Sequence, residues 1–211
     1  MSDANTPSIK KRTTPAWGLY QRENFWKLNE GKTPPFNTDP GKLEELAEET
    51  LSRGGWYYDS SNAGKSLTHL ANRQAFYRHR IIPRQLVDTN ERDTATTLFG
   101  HKVSAPIGFA AIGINKIYHP KGELPVAKVA GELNLPYCLS TAGSTSIEDV
   151  AASNDIGAAL PSAVNPSDRP DTDGPPRFYQ LYMPHDDELT ISLLTRAYKS
   201  SLTIYILTTD T

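Results

Sequence analysis

A single cysteine, Cys138, in 211 residues leaves no partner for a disulfide and no thiolate set for a cysteine-based zinc site. That scarcity fits a reducing compartment. Also missing is any apolar run near the ~20 residues that a membrane-spanning helix requires, in keeping with a mean hydropathy of −0.50. Neither charge sign is in surplus. The 22 basic and 24 acidic side chains give a net charge of −2, no field for nucleic acid or an anionic membrane. Residues 1–15 hold no apolar stretch that reads as a secretory signal. No Gly-rich loop offers a phosphate cradle, and no metal-ligand cluster is visible. These absences predict a soluble, intracellular protein of the cytoplasm, with neither nucleic acid nor membrane as partner.

What is present divides into three stretches. Residues 1–39 read as a disordered leader and linker, polar at first and then carrying Pro34 and Pro35. Residues 40–104 read as a helical segment and a hairpin. Asp39 stands as N-cap before Pro40, and Leu43, Leu46, Ala47 and Leu51 form one apolar stripe that Gly54 and Gly55 end. A second helix passes through Leu70, Ala71, Ala75 and Phe76 and stops before Pro83, and Gly100 sits at the centre of a short hairpin pattern.

From residue 105 the texture changes. Strand-length apolar runs at 105–112, 135–139, 178–183 and 203–207 alternate with helical stretches at 123–133, 146–152 and 188–199. This is the pattern of a parallel sheet with crossover helices. A long loop rich in Pro, Asp and Ser fills 154–176. An open sheet of so few strands would have bare edges. The pattern fits either a small open α/β sheet or, as the favoured reading, the N-terminal half of an α/β (β/α)8 TIM barrel in residues 105–211, preceded by a helical N-terminal segment.

In such sheets ligands meet the carboxyl ends of the strands. The four ends carry Ile112 and Gly113, then Ser140 and Thr141, then Gln180 and Tyr182, then Thr208 and Asp210. Alternation places Gln180 with Tyr182, and Thr208 with Asp210, on one face of their strands. Uncharged hydrogen-bonding groups with one carboxylate suit the edge of a planar heterocycle better than a phosphate. Taken singly, each hydroxyl reads more readily as a helix cap or turn former, and Tyr182 can be a core aromatic with a wet hydroxyl. It is the four consecutive strand ends together that bring the ligand reading level.

At these residues the sequence resembles the FMN-dependent 2-hydroxy-acid dehydrogenases and oxidases. The resemblance runs from Trp56-Tyr57-Tyr58 and Asn72 through Ile82-Pro83-Arg84, Ala105-Pro106-Ile107-Gly108 and His119-Pro120-Lys121-Gly122-Glu123. It continues in Leu139-Ser140-Thr141, Ser146-Ile147-Glu148-Asp149-Val150, Phe178-Tyr179-Gln180-Leu181-Tyr182 and Leu207-Thr208-Thr209-Asp210-Thr211. Only the first half of the family's domain is covered.

The resemblance implies FMN as cofactor and oxidation of a small, lactate-like 2-hydroxy acid to the 2-oxo acid. It implies that Tyr58 holds the substrate carboxylate and that backbone at Ala111, Ile112 and Gly113 lies against the flavin. Ser140, Gln180 and Thr208 would bond the ring's polar edge, Tyr182 the substrate oxygen, and Asp210 would orient a histidine base. None of His69, His79, His101, His119 and His185 matches that base, and the family's later lysine, arginines and phosphate loops have no counterpart here. A chain ending at Thr211 is therefore expected to be silent alone, with a homo-oligomer possible at full length. The alternative is a non-catalytic half-barrel that binds or pairs with a partner. Asn62 for a usual Gly, Ala111 for a usual Pro, and Pro125 inside the first barrel helix depart from the family pattern.

Overall fold

The computed structural model describes residues 18–32, 39–88, 93–161, 163–164 and 174–209. The chain divides into two compact units, residues 1–93 and 94–211.

The first unit is helical: α1 (Gly18–Asn29), α2 (Pro40–Thr50), α3 (Arg53–Ser60) and α4 (Leu67–Phe76). α1 corrects the expectation that 1–39 is structureless throughout. No proline interrupts the sequence between Pro15 and Pro34, and Gln, Arg, Glu, Lys and Leu there favour the helix. The rest of that stretch, residues 1–17 and 33–38, lies outside the described residues. α2 begins as its sequence predicts, with the Asp39 carboxylate accepting the Gly41 N–H at 2.9 Å and Pro40 in the first turn. Its end is different. Gly54 and Gly55 do not terminate α2 but lie inside α3, because Leu51 turns extended and Ser52 starts a new helix by accepting the Gly55 N–H at 3.1 Å.

The second unit opens with an antiparallel hairpin, β1 (Thr96–Leu98) and β2 (His101–Val103), joined by Phe99 and Gly100 at φ 49° and 87°. Both central residues at positive φ give the twist that matches the strands, which is why glycine occupies one of them. The hairpin, expected with the N-terminal segment, belongs instead to this second unit. It packs on the amino ends of the following strands. Ser104 N donates to Asn134 O at 3.1 Å, Asn134 Nδ2 to Lys102 O at 3.2 Å, and His101 Nε2 bonds with Thr203 Oγ1 at 2.7 Å. Phe99 meets Phe178 edge-on at 5.8 Å. Closed from below in this way, the sheet leaves its carboxyl ends for the site.

The elements α5 (Leu124–Leu133), β3 (Tyr137–Ser140), α6 (Ile147–Ala158), β4 (Arg177–Tyr182), α7 (Asp187–Lys199) and β5 (Ile204–Thr208) follow in alternation. β3, β4 and β5 pair in parallel and in sequence order. The run at 105–112 forms no full strand. It contributes one parallel bridge, Phe109 to Tyr137, through Phe109 N to Pro136 O at 2.8 Å and Cys138 N to Phe109 O at 3.0 Å. Pro136 has no N–H to extend that ladder toward Ile107. The order Phe109, β3, β4, β5 adds each strand beside the last, as a barrel does and a doubly wound sheet does not.

Pro125 falls in the first turn of α5, where no donor is needed, so it causes no break. α6 runs past the expected end at Ala152 into the stretch read as loop, and residues 162 and 165–173 lie outside the described residues. Its N-cap Ser146 accepts the Asp149 N–H at 3.1 Å, with Glu148 and Asp149 placed favourably in the first turn.

Alternation along the strands sorts the side chains. Leu139, Tyr179 and Leu181 are buried with Ala127, Ala130, Ile147, Val150, Ala151, Ala197 and Leu202 of the helical layer. Ser140, Gln180 and Tyr182 therefore face the other way. α5 and α6 cross closely enough that a Cβ on Gly131 would stand 2.0 Å from Asn154 O, and one on Gly157 only 1.8 Å from Lys128 O. Asn154, fully buried, spans this crossing through Nδ2 to Ala127 O at 2.7 Å.

Candidate functional site

At the carboxyl ends of the three paired strands, side chains form a continuous hydrogen-bonded row. Ser140 Oγ donates to Gln180 Oε1 at 3.1 Å, and Gln180 Nε2 donates to Thr208 Oγ1 at 2.9 Å. Register explains the meeting: Ser140 lies opposite Gln180, and Thr208 opposite Tyr182 one pleat further on. Ser140 and Gln180 are buried. The direction of the Gln180 amide is fixed by a main-chain donor, Thr141 N, which lies 3.2 Å from Oε1. Ser140 Oγ also accepts the Ala142 N–H at 3.1 Å, so it has a donor and an acceptor bond in place.

The loop from 111 to 114 crosses beside this row. A Cβ on Gly113 would stand 3.0 Å from Ala142 Cβ and 3.6 Å from Ser140 Oγ, and Ile114 N donates to Ala142 O at 2.9 Å. A side chain at position 113 would press on the turn after β3. Ala111 is half-buried and Ile112 exposed. Thus Gly113, Ser140, Gln180 and Thr208 are gathered in one place, with Tyr182 two residues beyond Gln180 at the end of β4 and 41% exposed. Tyr58 lies exposed on α3 of the first unit. Asp210 lies outside the described residues.

Sequence reasoning assigned no role to Glu123, which is fully buried. Its carboxylate accepts Ser144 N at 2.7 Å, Ser144 Oγ at 2.9 Å, Thr145 Oγ1 at 2.5 Å, Asn115 N at 3.3 Å and Asn115 Nδ2 at 3.1 Å. It therefore locks the loop after 113 to the loop after β3. Burial pushes this carboxyl up, but the bonds from Thr145, Ser144 and Asn115 outweigh it and hold it at about 2. The only signal in the sequence was its place in His119-Pro120-Lys121-Gly122-Glu123.

A pH dependence follows. Because the folded pKa lies below the ordinary 4.5, the contribution of Glu123 is complete above about pH 4.5 and is lost as pH falls toward about 2. Thermal melts over that window are expected to show a steeper loss in the wild type than in Glu123→Gln. Parallel curves would refute the assignment.

Cys138, by contrast, is buried, and burial pushes its thiol up to about 11, so it is no nucleophile at neutral pH. Among the described residues no cluster of His, Cys, Asp and Glu could hold a metal ion, and no helix is long and apolar enough to cross a membrane.

Residues 47–211 match the family described as FMN-dependent dehydrogenase. The chain belongs to that family. An FMN-dependent alpha-hydroxy acid dehydrogenase of Penicillium citrinum is 34% identical over 92% of this chain and 44% of its own. An L-lactate oxidase of Lysinibacillus sphaericus is 33% identical over 84% of this chain and 41% of its own. Among solved structures, a mandelate oxidase superposes with a TM-score of 0.66 at 26% identity, covering 82% of this chain and 44% of the other. The family match and this superposition establish the fold as the N-terminal half of an FMN-dependent (β/α)8 barrel. The chain spans less than half the length of the curated relatives it matches.

Proposed function

We propose that this chain contributes the ring-edge half of a flavin site to a protein that oxidises a small 2-hydroxy acid to its 2-oxo acid. The observation that carries the reading is the row Ser140–Gln180–Thr208, strung across three neighbouring strands at their carboxyl ends. FMN, the cofactor of the family, supplies a two-electron acceptor when bound. The donor set fits its ring. Gln180 Nε2 has a second N–H beyond the one given to Thr208, and Thr208, accepting from Gln180, has its own O–H to donate. Both groups are neutral, as an uncharged heterocycle edge requires, and Gly113 lies beside Ser140 at the other end of the row.

For the substrate we extend the same proposal to three further side chains. Tyr182 donates its phenol O–H to the substrate oxygen, Tyr58 binds the carboxylate, and Asp210 orients the base. The exposure of Tyr182 at the carboxyl end of β4 supports the first of these. The near-absence of cysteine supports a reducing, cytoplasmic setting. A second reading, a half-barrel that binds without catalysing, draws on β5, whose Tyr205, Ile206 and Leu207 are substantially exposed.

Titration with FMN, followed by flavin fluorescence, separates the two. Saturable but weak binding is expected, because the family's phosphate loops have no counterpart in this sequence. Gln180→Leu is expected to weaken it about tenfold further through the loss of a hydrogen-bonding centre. Binding that is absent, or indifferent to Gln180→Leu, would overturn the flavin assignment.

A further inference from the structure

The main chain of β3 makes its last rung to β4 at Thr141 N, which donates to Gln180 O, and then turns away. The register of the pair ends at Ser140 opposite Gln180, and Gly143 N turns back to Ser140 O at 2.9 Å. The next rung of the ladder belongs to Tyr182 N, and a side chain takes it. Thr141 Oγ1 accepts this N–H at 3.0 Å while donating to Gln180 O at 2.5 Å. The Thr141 N–H in turn faces both Gln180 O, at 3.0 Å, and Gln180 Oε1, at 3.2 Å.

We propose that Thr141 is a positioning residue of this site, its hydroxyl replacing the lost rung so that Gln180 and Tyr182 stay aligned where the strand pair diverges. The proposal rests on the flavin and hydroxy-acid reading for what the alignment serves. A hydroxyl after a strand is ordinarily read as a cap for the next helix, but α6 is capped by Ser146, five residues on. Ser140 does not duplicate the role, because its hydroxyl is occupied by Ala142 N and Gln180 Oε1. The main-chain N–H of Thr141 also decides which end of the Gln180 amide faces Thr208. An N–H tolerates only the carbonyl oxygen as neighbour, so Nε2 must point the other way. One residue therefore governs both the group proposed for the ring edge and the group proposed for the substrate.

Thr141→Val keeps the β-branched shape and removes the hydroxyl, and Thr141→Ser restores it. Amide hydrogen exchange at Tyr182 and FMN affinity are to be measured in wild type and both variants, with the amides of α6 as internal control. In Thr141→Val the Tyr182 amide is expected to exchange about tenfold faster with α6 unchanged, and FMN to bind about threefold to tenfold weaker. Thr141→Ser is expected to restore both. Should the valine variant fail to fold, Thr141→Ala serves the same comparison. Unchanged Tyr182 exchange on loss of the hydroxyl, or no rescue by serine, would overturn the proposal. Absence of FMN binding in all proteins would overturn the flavin reading instead, and the exchange data alone would then decide the hold of Thr141 on the end of β4.

Discussion

Gly157→Ala is expected to destabilise the second unit by about 3 kcal/mol or more, read as a lowered urea midpoint. The reason is the crossing of α5 and α6. The added methyl would be placed 1.8 Å from Lys128 O and 2.7 Å from Lys128 C, both main-chain atoms of a packed helix. No rotamer relieves such a contact, so the helices must separate. Separation would strip packing from Ala127, Ala130, Val150 and Ala151 and would strain the bond of buried Asn154 to Ala127 O. Gly131→Ala meets Asn154 O at 2.0 Å and should behave alike. Gly54→Ala is the control: it lies within α3 with nothing inside 4 Å, so it should be neutral or stabilising by about 0.5 kcal/mol. If Gly157→Ala melted with the wild type, the close crossing would be refuted.

Glu123→Ala is the second large effect, expected to cost about 3 kcal/mol or more. Removing the carboxylate leaves the N–H groups of Asn115 and Ser144 and the hydroxyls of Ser144 and Thr145, all half-buried, without their shared and fully buried acceptor. Glu123→Gln is no rescue, since its amide N–H₂ faces groups that themselves donate. The loss is not only of stability. Glu123 holds the loop containing Asn115 against the loop after β3, and those loops flank Gly113 and Ser140. FMN affinity is therefore expected to fall with the melting temperature. Measuring both on the same samples tests this, and an Ala variant that melted normally would refute the clamp.

Much of this arrangement was legible because local rules and the global fold agree. The alternation of Phe178, Tyr179, Gln180, Leu181 and Tyr182 separates a helix-facing from an inward set, and Asp39 before Pro40 marks a helix start in any context. The row of Ser140, Gln180 and Thr208 follows from assigning strand ends, although its hydrogen-bond directions depend on Thr141 N, a main-chain donor that sequence does not show. Glu123 was missed because a carboxylate before a helix ordinarily reads as a solvated first-turn acid, and only the fold brings Asn115, Ser144 and Thr145 around it. Gly131 and Gly157 were silent for a similar reason: an isolated glycine in a helix records a neighbour that lies far away in sequence. The run at 105–112 has the apolar content of a strand, but Pro136 denies it the next rung of the ladder. Gly54 and Gly55 mislead because Ser52 outcompetes them by capping a new helix.

The sequential order of β3, β4 and β5 bears on how such a chain comes off the ribosome. β4 finds its docking edge on β3, and β5 on β4, with one helix between each pair. Neither of these two pairings waits for a segment not yet translated, and the loops they close stay short. The half-barrel can be consolidated vectorially, unit upon unit, with the hairpin of β1 and β2 already in place as its floor.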